Sequence, residues 1–355
     1  MGKEQVIRQL PTGLAALATL MLAACGGSGG ASRDFVRAVG SSTVYPFATA
    51  VAEQFARNAP GGARKSPVIE STGTGAGMKL FCGGIGAAFP DIEDASRRIK
   101  PGEYADCVKH GVKDIVEVQV GIDGIAFAEG TQGPGFALTP ADIYRAIAAQ
   151  PFGKPNTARL WSDVDPALPA VPILVYGPPT TSGTRDAMAD LILAVGCKTD
   201  PAMAALEKAN PDRFAKTCKE VREDGAYVDS GENDNLIVQK LAQNPKAVGI
   251  FGYSFLEENP GKLKGIPLAG VAPTYETISS YKYPGARPLF IYVKKQHLAA
   301  IRGLKDYVTE WSRAWGPDGY LKKRGMVIAP DAVRANSARI VAAMTPLDPR
   351  SLTAK

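Results

Sequence analysis

From residue 34 onward, short apolar, β-branched runs alternate with amphipathic runs, and no other feature constrains the chain as strongly. "DFVRAVG" leads through "SSTVYP" into a stretch where Val44, Phe47, Val51 and Phe55 fall at three- and four-residue steps, stopped by Pro60. "SPVIESTGTGAGMKLF" repeats the order of strand, polar loop and helix start. "IVEVQVGIDGIAFAEG" alternates like a strand, and "TPADIYRAIAAQ" reads as a helix capped by Thr139 with Pro140 at its first position. "AVPILVYGPPTTSGTRDAMADLILAVG" is again strand, loop, helix. "NDNLIVQKLAQNPKAVGIFGY" gives a helix and then a strand; "RPLFIYVKK" is a further strand, and "LAAIRGLKDYVTEWSRAW" predicts one long amphipathic helix. Alternation of this kind implies parallel sheets and the α/β class. In such sheets ligands sit beyond the carboxyl ends of the strands, where loops meet helix N-termini.

A chain of 355 residues is long enough for about two domains on the usual scale of roughly 100–200 residues each. No linker rich in Pro, Gly or Ser divides it internally, which suggests two lobes joined by crossing strands, with a cleft between them. Residues 1–24 read as an export signal: Lys3 and Arg8, then an apolar core too short for a mature membrane span, then small residues. The ending "LAAC" resembles the lipobox of bacterial lipoproteins, which implies cleavage before Cys25 and lipid on its thiol; the alternative is an ordinary secretory peptide. Residues 25–33, rich in Gly and Ser, suit a flexible tether.

Setting Cys25 aside leaves Cys82, Cys107, Cys197 and Cys218, an even number that allows three pairings. The simplest is local, Cys82–Cys107 and Cys197–Cys218. With two histidines and no CxxC, a zinc site is not expected. The net charge of +6 is modest and lacks the dense basic stripe of a nucleic-acid binder.

Four loops share one chemical character: "GSSTVYP" (40–46), "STGTGAG" (71–77), "DIEDASRRI" (91–99) and "TTSGTRD" (180–186). Each is small, rich in hydroxyls or charge, and placed where a strand yields to a helix. Glycines admit a ligand close to the backbone, hydroxyls and N–H groups donate hydrogen bonds, and a helix start favours negative charge. One such loop is explained by helix capping alone. Four, with Arg97 and Arg185, suit a tetrahedral oxyanion. Enzyme readings fare worse. "GTGAGMK" is neither a Walker A motif nor GxGxxG, and no GxSxG elbow is present. His110 and His297 lie in charged segments read as exposed, apart from the hydroxyl loops. A serine nucleophile lacks the base it requires. Trp161, Trp311 and Trp315 read as packing residues.

Taken in order, "VGSSTVYP", "STGTGAG", "DASRRI", "SGTRD" and "GENDNLIVQKL...AVGIFGY" resemble the phosphate-binding proteins of bacterial phosphate ABC transporters, within the periplasmic-binding-protein superfamily. The resemblance spans nearly all of residues 34–345. It implies a two-lobe periplasmic-binding-protein fold of type II, with crossover strands and an interlobe cleft closing on one phosphate, and neither catalysis nor a cofactor. The expected lobes are 34–119 with 286–347, and 120–285. Carried over by position, Ser42, Thr43, Thr74, Ser182, Gly183 and Thr184 are expected to bind phosphate, joined by Ser96 of the third loop. Many members have an arginine where this chain has Pro178, and an aspartate where it has Arg97. Arg185 and Arg97 are therefore the expected counter-charges. An acceptor for the proton that phosphate carries and sulfate lacks would exclude sulfate. Asp123, an acid amid apolar strand residues, is the first choice, with a salt bridge to a hinge residue as the alternative; Asp94 and Glu232 follow. Asn233 either reaches the cleft or caps its helix. The expected partners are inorganic phosphate, permease subunits and, through a lipid anchor, the membrane; the expected state is monomeric. Rival readings are another oxyanion (sulfate, molybdate, an organic phosphate) or a phosphate-ester hydrolase.

Overall fold

The computed structural model describes residues 33–58, 65–231 and 233–352, so the export signal, Cys25 and its tether, and Glu232 lie outside the described residues. Among the described residues nine strands form one continuous, curled arrangement: β1 (Arg37–Gly40), β2 (Val68–Ser71), β3 (Ile92–Ala95), β4 (Ile115–Gly130), β5 (Val175–Gly177), β6 (Tyr227–Asp229), β7 (Val248–Gly252), β8 (Leu263–Gly265) and β9 (Ala286–Lys294). Their order is β2-β1-β3-β9-β4-β7-β5-β6, with β8 also on β4. β1 pairs in parallel with β2 and β3, and β5 pairs in parallel with β6 and β7. Between these parallel groups runs the antiparallel pair β4 and β9, from Ile115↔Lys294 to Gly124↔Ala286, with a register shift between Gln119 and Gly121. The second half of β4 then joins β7 and β8. Two lobes thus share two long strands, with no flexible linker between them.

Each lobe has its own apolar packing. Val51, Phe55, Val118, Ile291, Tyr307 and Trp311 belong to one buried cluster, and Met78, Phe81, Ile99, Ile115 and Tyr292 to a neighbouring one. Phe127, Ile143, Trp161, Ile192, Ile250 and Phe251 belong to the cluster of the other lobe. The helix Tyr45–Arg57 buries Phe47, Val51 and Phe55, as the spacing requires. Thr139 caps Pro140–Ile147 by accepting from the Asp142 N–H at 3.2 Å. All three tryptophans are buried. Both disulfides are the local pairs, Cys82–Cys107 and Cys197–Cys218. Among the described residues no helix is long and apolar enough to cross a membrane.

Three expectations need correction. The long C-terminal helix starts only at Leu304, because Gly303 takes a left-handed φ of 82° that breaks the run from Leu298. The third polar loop is half strand: Ile92–Ala95 is β3, entirely buried despite Glu93 and Asp94, and only Ser96 onward is loop. His297 is buried rather than exposed. Its Nδ1 lies 2.7 Å from Asp91 Oδ1, and its Nε2 accepts from the Gly86 N–H at 3.0 Å, which puts the ring proton on Nδ1. Beside it, Lys294 is wholly buried, donates to Gly84 O at 2.7 Å and lies over the Phe81 ring. Burial pulls its ammonium down to about 7.

The Cys197–Cys218 bridge closes a 21-residue separation, and loop-closure entropy for such a length is about 3 kcal/mol. Replacing both cysteines by serine is expected to lower the thermal midpoint by several degrees in a calorimetric scan, with the fold retained.

Candidate functional site

The loops after β1, β2 and β3 leave the same edge of three adjacent parallel strands, so the sheet itself gathers them. Ser41 N–H donates to Asp94 O at 2.7 Å, and the Thr72 and Gly73 N–H groups both donate to Gly40 O at 2.8 Å. Thr74 begins the helix Thr74–Cys82, and its Oγ1 accepts from the Ser96 N–H at 3.1 Å and lies 3.2 Å from Ser96 Oγ. The second and third loops are therefore held to each other through two of the expected ligand residues.

The fourth loop follows β5 in the other lobe. Ser182 caps the helix Gly183–Met188, its Oγ accepting from the Thr184 N–H at 3.2 Å. The chain stays helical to Cys197 through a π turn at Ala189–Leu193, a local widening often found beside functional sites. Capping is thus a role this loop does perform.

It also meets the first loop of the opposite lobe. Thr43 Oγ1 donates to Gly183 O at 3.0 Å, and Ser42 Oγ donates to Asp186 Oδ2 at 2.8 Å. A Cβ on Gly183 would lie 2.3 Å from Thr43 N, so only glycine permits this approach. Behind the contact stands Arg287, a residue absent from the expected set. Its Nη2 donates to Thr43 Oγ1 at 2.5 Å and to Gly183 O at 3.3 Å, and its Nε donates to Asp123 Oδ2 at 3.2 Å. The arginine side chain is 5% exposed and that of Asp123 14%. Asp123 and Arg287 are register partners on β4 and β9. The salt bridge to a hinge strand is therefore present. Burial raises the Asp123 carboxyl above its ordinary value, while Arg287 and the Gly124 N–H pull it back.

The other charged candidates have local partners. Arg97 forks onto Glu103 through bonds of 2.7 and 2.9 Å. Arg185 lies 4.3 Å over the Tyr227 ring and donates to Pro178 O at 3.3 Å. Asn233 caps Asp234–Gln243 by accepting from the Asn235 N–H at 3.1 Å. Glu93 and Asp94 lie beneath the first two loops. An added Cβ on Gly77 would sit 2.3 Å from Glu93 Oε2, and one on Gly40 would sit 2.8 Å from Glu93 Oε1. Among the described residues neither Glu93 oxygen has a hydrogen-bond partner, nor does Asp94 Oδ1. Burial drives Glu93 well above its ordinary value and Asp94 up to about 8, so Asp94 is mostly neutral at pH 7. A cavity of about 450 Å³ lies elsewhere between the lobes, walled by Tyr253, Glu257, Tyr275, Lys322 and Met326, and includes none of the loop residues.

A family model described as a PBP superfamily domain matches residues 26–313. Protein SphX of Synechococcus elongatus is 32% identical over 272 residues, covering 75% of this chain and 70% of its own. The phosphate-binding protein PstS of Staphylococcus saprophyticus is 28% identical over 302 residues, covering 82% and 81%. The crystal structure of "a possible phosphate binding protein" from Planctomyces limnophilus superposes with a TM-score of 0.69 at 29% identity, over 88% of this chain and 99% of that one.

Because Asp94 keeps its proton in the folded state up to about pH 8 and an unfolded aspartate loses it near 3.8, stability falls as pH rises through that window. Asp94→Asn removes this loss. Thermal melts of variant and parent are expected to shift by several degrees in the variant's favour between pH 4 and pH 8, then run level.

Proposed function

The chain belongs to the PBP superfamily, and from that premise we propose that it captures inorganic phosphate outside the cytoplasm and delivers it to an ABC-transporter permease. The observation that carries the reading is the meeting of two hydroxyl-bearing, helix-starting loops from opposite lobes, with Thr43 against Gly183. Paired helix starts with small, donor-rich side chains are what a tetrahedral oxyanion requires. The relatives' names, PstS the phosphate-binding protein among them, point to the same ligand. In this reading Ser42, Thr43, Thr74, Ser96, Ser182, Gly183 and Thr184 supply donors, Arg185 and Arg97 supply positive potential, and Asn233 borders the cleft. Asp123 accepts the hydrogen bond of the protonated phosphate oxygen, and the Arg287 and Gly124 N–H contacts that oppose the effect of burial favour its carboxylate form. The lobes in this reading are residues 34–119 with 286–347, and 120–285, with Val327 and Ala329 of the first packing into the apolar cluster of the second.

We read the protein as a binding protein rather than a hydrolase, since both ring nitrogens of His297 are engaged by Asp91 and Gly86, and His110 accompanies Asp106 on another surface. The lipid anchor at Cys25 also belongs to the proposal, and the family match begins one residue after it. The protein is taken to act as a monomer.

Calorimetric titration at neutral pH, after removal of bound ligand, is expected to give one-to-one phosphate binding and no heat with sulfate. Asp123→Asn is expected to admit sulfate. Gly183→Ala, which forces the lobes apart at Thr43, is expected to weaken phosphate by about tenfold or more, the scale of one badly misfitted contact. Binding of sulfate by the parent, or silence toward both anions, would remove the phosphate reading.

A further inference from the structure

We propose that Arg287 is a positioning residue of the anion site: it fixes the Thr43 hydroxyl as a donor aimed across the seam between the two lobes. The proposal rests on the phosphate reading above. Three groups meet this side chain, so that four places in the fold come together. Asp123 comes from β4, Arg287 itself from β9, Thr43 from the loop after β1, and Gly183 from the helix start after β5. Neither lobe alone contains the set.

Proton accounting gives the arrangement its meaning. A threonine hydroxyl has one proton and two lone pairs. Arg287 Nη2 donates to Thr43 Oγ1 at 2.5 Å, so one lone pair is taken by a charged donor. The hydroxyl proton must then point at an acceptor, and in this arrangement that acceptor is Gly183 O at 3.0 Å. A hydroxyl accepting from a guanidinium is polarised and becomes a stronger donor. An oxyanion oxygen beside it outcompetes a peptide carbonyl for that proton, since a charged acceptor makes the stronger hydrogen bond. Arg287 thus commits Thr43 to the one role an anion can use.

Neutralising Asp123 does not by itself account for the geometry. A buried partner for Asp123 needs only the Nε contact, yet the outer nitrogen Nη2 is spent on Thr43 and Gly183. The planar fork is what spans the hinge acid on one side and the seam between lobes on the other. A lysine would keep the charge but lose that reach and direction.

The test is a double-variant cycle in phosphate titrations at neutral pH, with thermal melts to certify folding. Arg287→Lys and Arg287→Gln are both made, so that one folded variant suffices. Either is expected to weaken phosphate on the order of tenfold to a hundredfold, the scale of a charge-assisted hydrogen bond. Thr43→Val removes the hydroxyl through which Arg287 acts, so the Arg287→Lys/Thr43→Val protein is expected to bind within about twofold of Thr43→Val alone. A folded Arg287 variant with parental affinity overturns the inference. Losses that multiply in the double variant overturn it too, because a purely structural role gives that result. Silence of the parent toward phosphate is a different failure, which removes the phosphate reading and this inference together.

Discussion

The antiparallel pairing of β4 with β9 carries the whole molecule, because it is the covalent and hydrogen-bonded joint between two separately packed lobes. One pair from its end the joint holds an ion pair, Asp123 with Arg287, where apolar residues would be cheaper. Burying two charges costs more than their attraction usually returns, so such a pair is poor evidence for stability. Its geometry suits placement better: the arginine reaches out of the joint to a loop of one lobe and a helix start of the other.

That reach explains why the seam between the lobes is polar. Thr43 finds its acceptor in Gly183, and Ser42 finds its own in Asp186, each across the cleft. Two apolar surfaces meeting here would close tightly and open slowly, since the drive to stay together scales with apolar area. Hydrogen bonds exchanged against water are worth little net, so lobes joined by a few of them separate at low cost. An exposed pair such as Ser42 with Asp186 marks the rim of this seam, and Thr43 with Arg287 marks its dry interior.

Much of this was legible in the amino-acid order. The alternation of strand and helix, the capped helix at Thr139 and the local disulfides follow from patterns of a few residues, where local rules apply, whereas Ser42, Thr43 and Gly183 were brought together by the family resemblance. Arg287 was harder to see. It stands in "ARPLFIYV" as Asp123 stands in "GIDGIAF", a charge among strand residues, and the same argument that singled out one acid applied to its partner. What was missing was register, since nothing local tells that residue 123 faces residue 287. For Arg97 and Arg185 it was the partners that stayed hidden. Sequence proximity placed them at the loops, but Glu103 six residues on and the Tyr227 ring on another strand give their charges nearer partners.

The acids of β3 show a second limit of reading by residue type. Glu93 and Asp94 look like exposed loop residues, and a pair of carboxylates under the anion loops would oppose the very ligand those loops suit. Burial resolves the contradiction. With Glu93 wholly enclosed and Asp94 2% exposed, the charged forms are the expensive ones; burial pushes Glu93 well up and Asp94 up to about 8. Gly40 and Gly77 pack directly onto Glu93, bringing the first and second loops down on a floor where burial disfavours negative charge. The same residues, left exposed, would have ionised and reversed the electrostatic sign of the site.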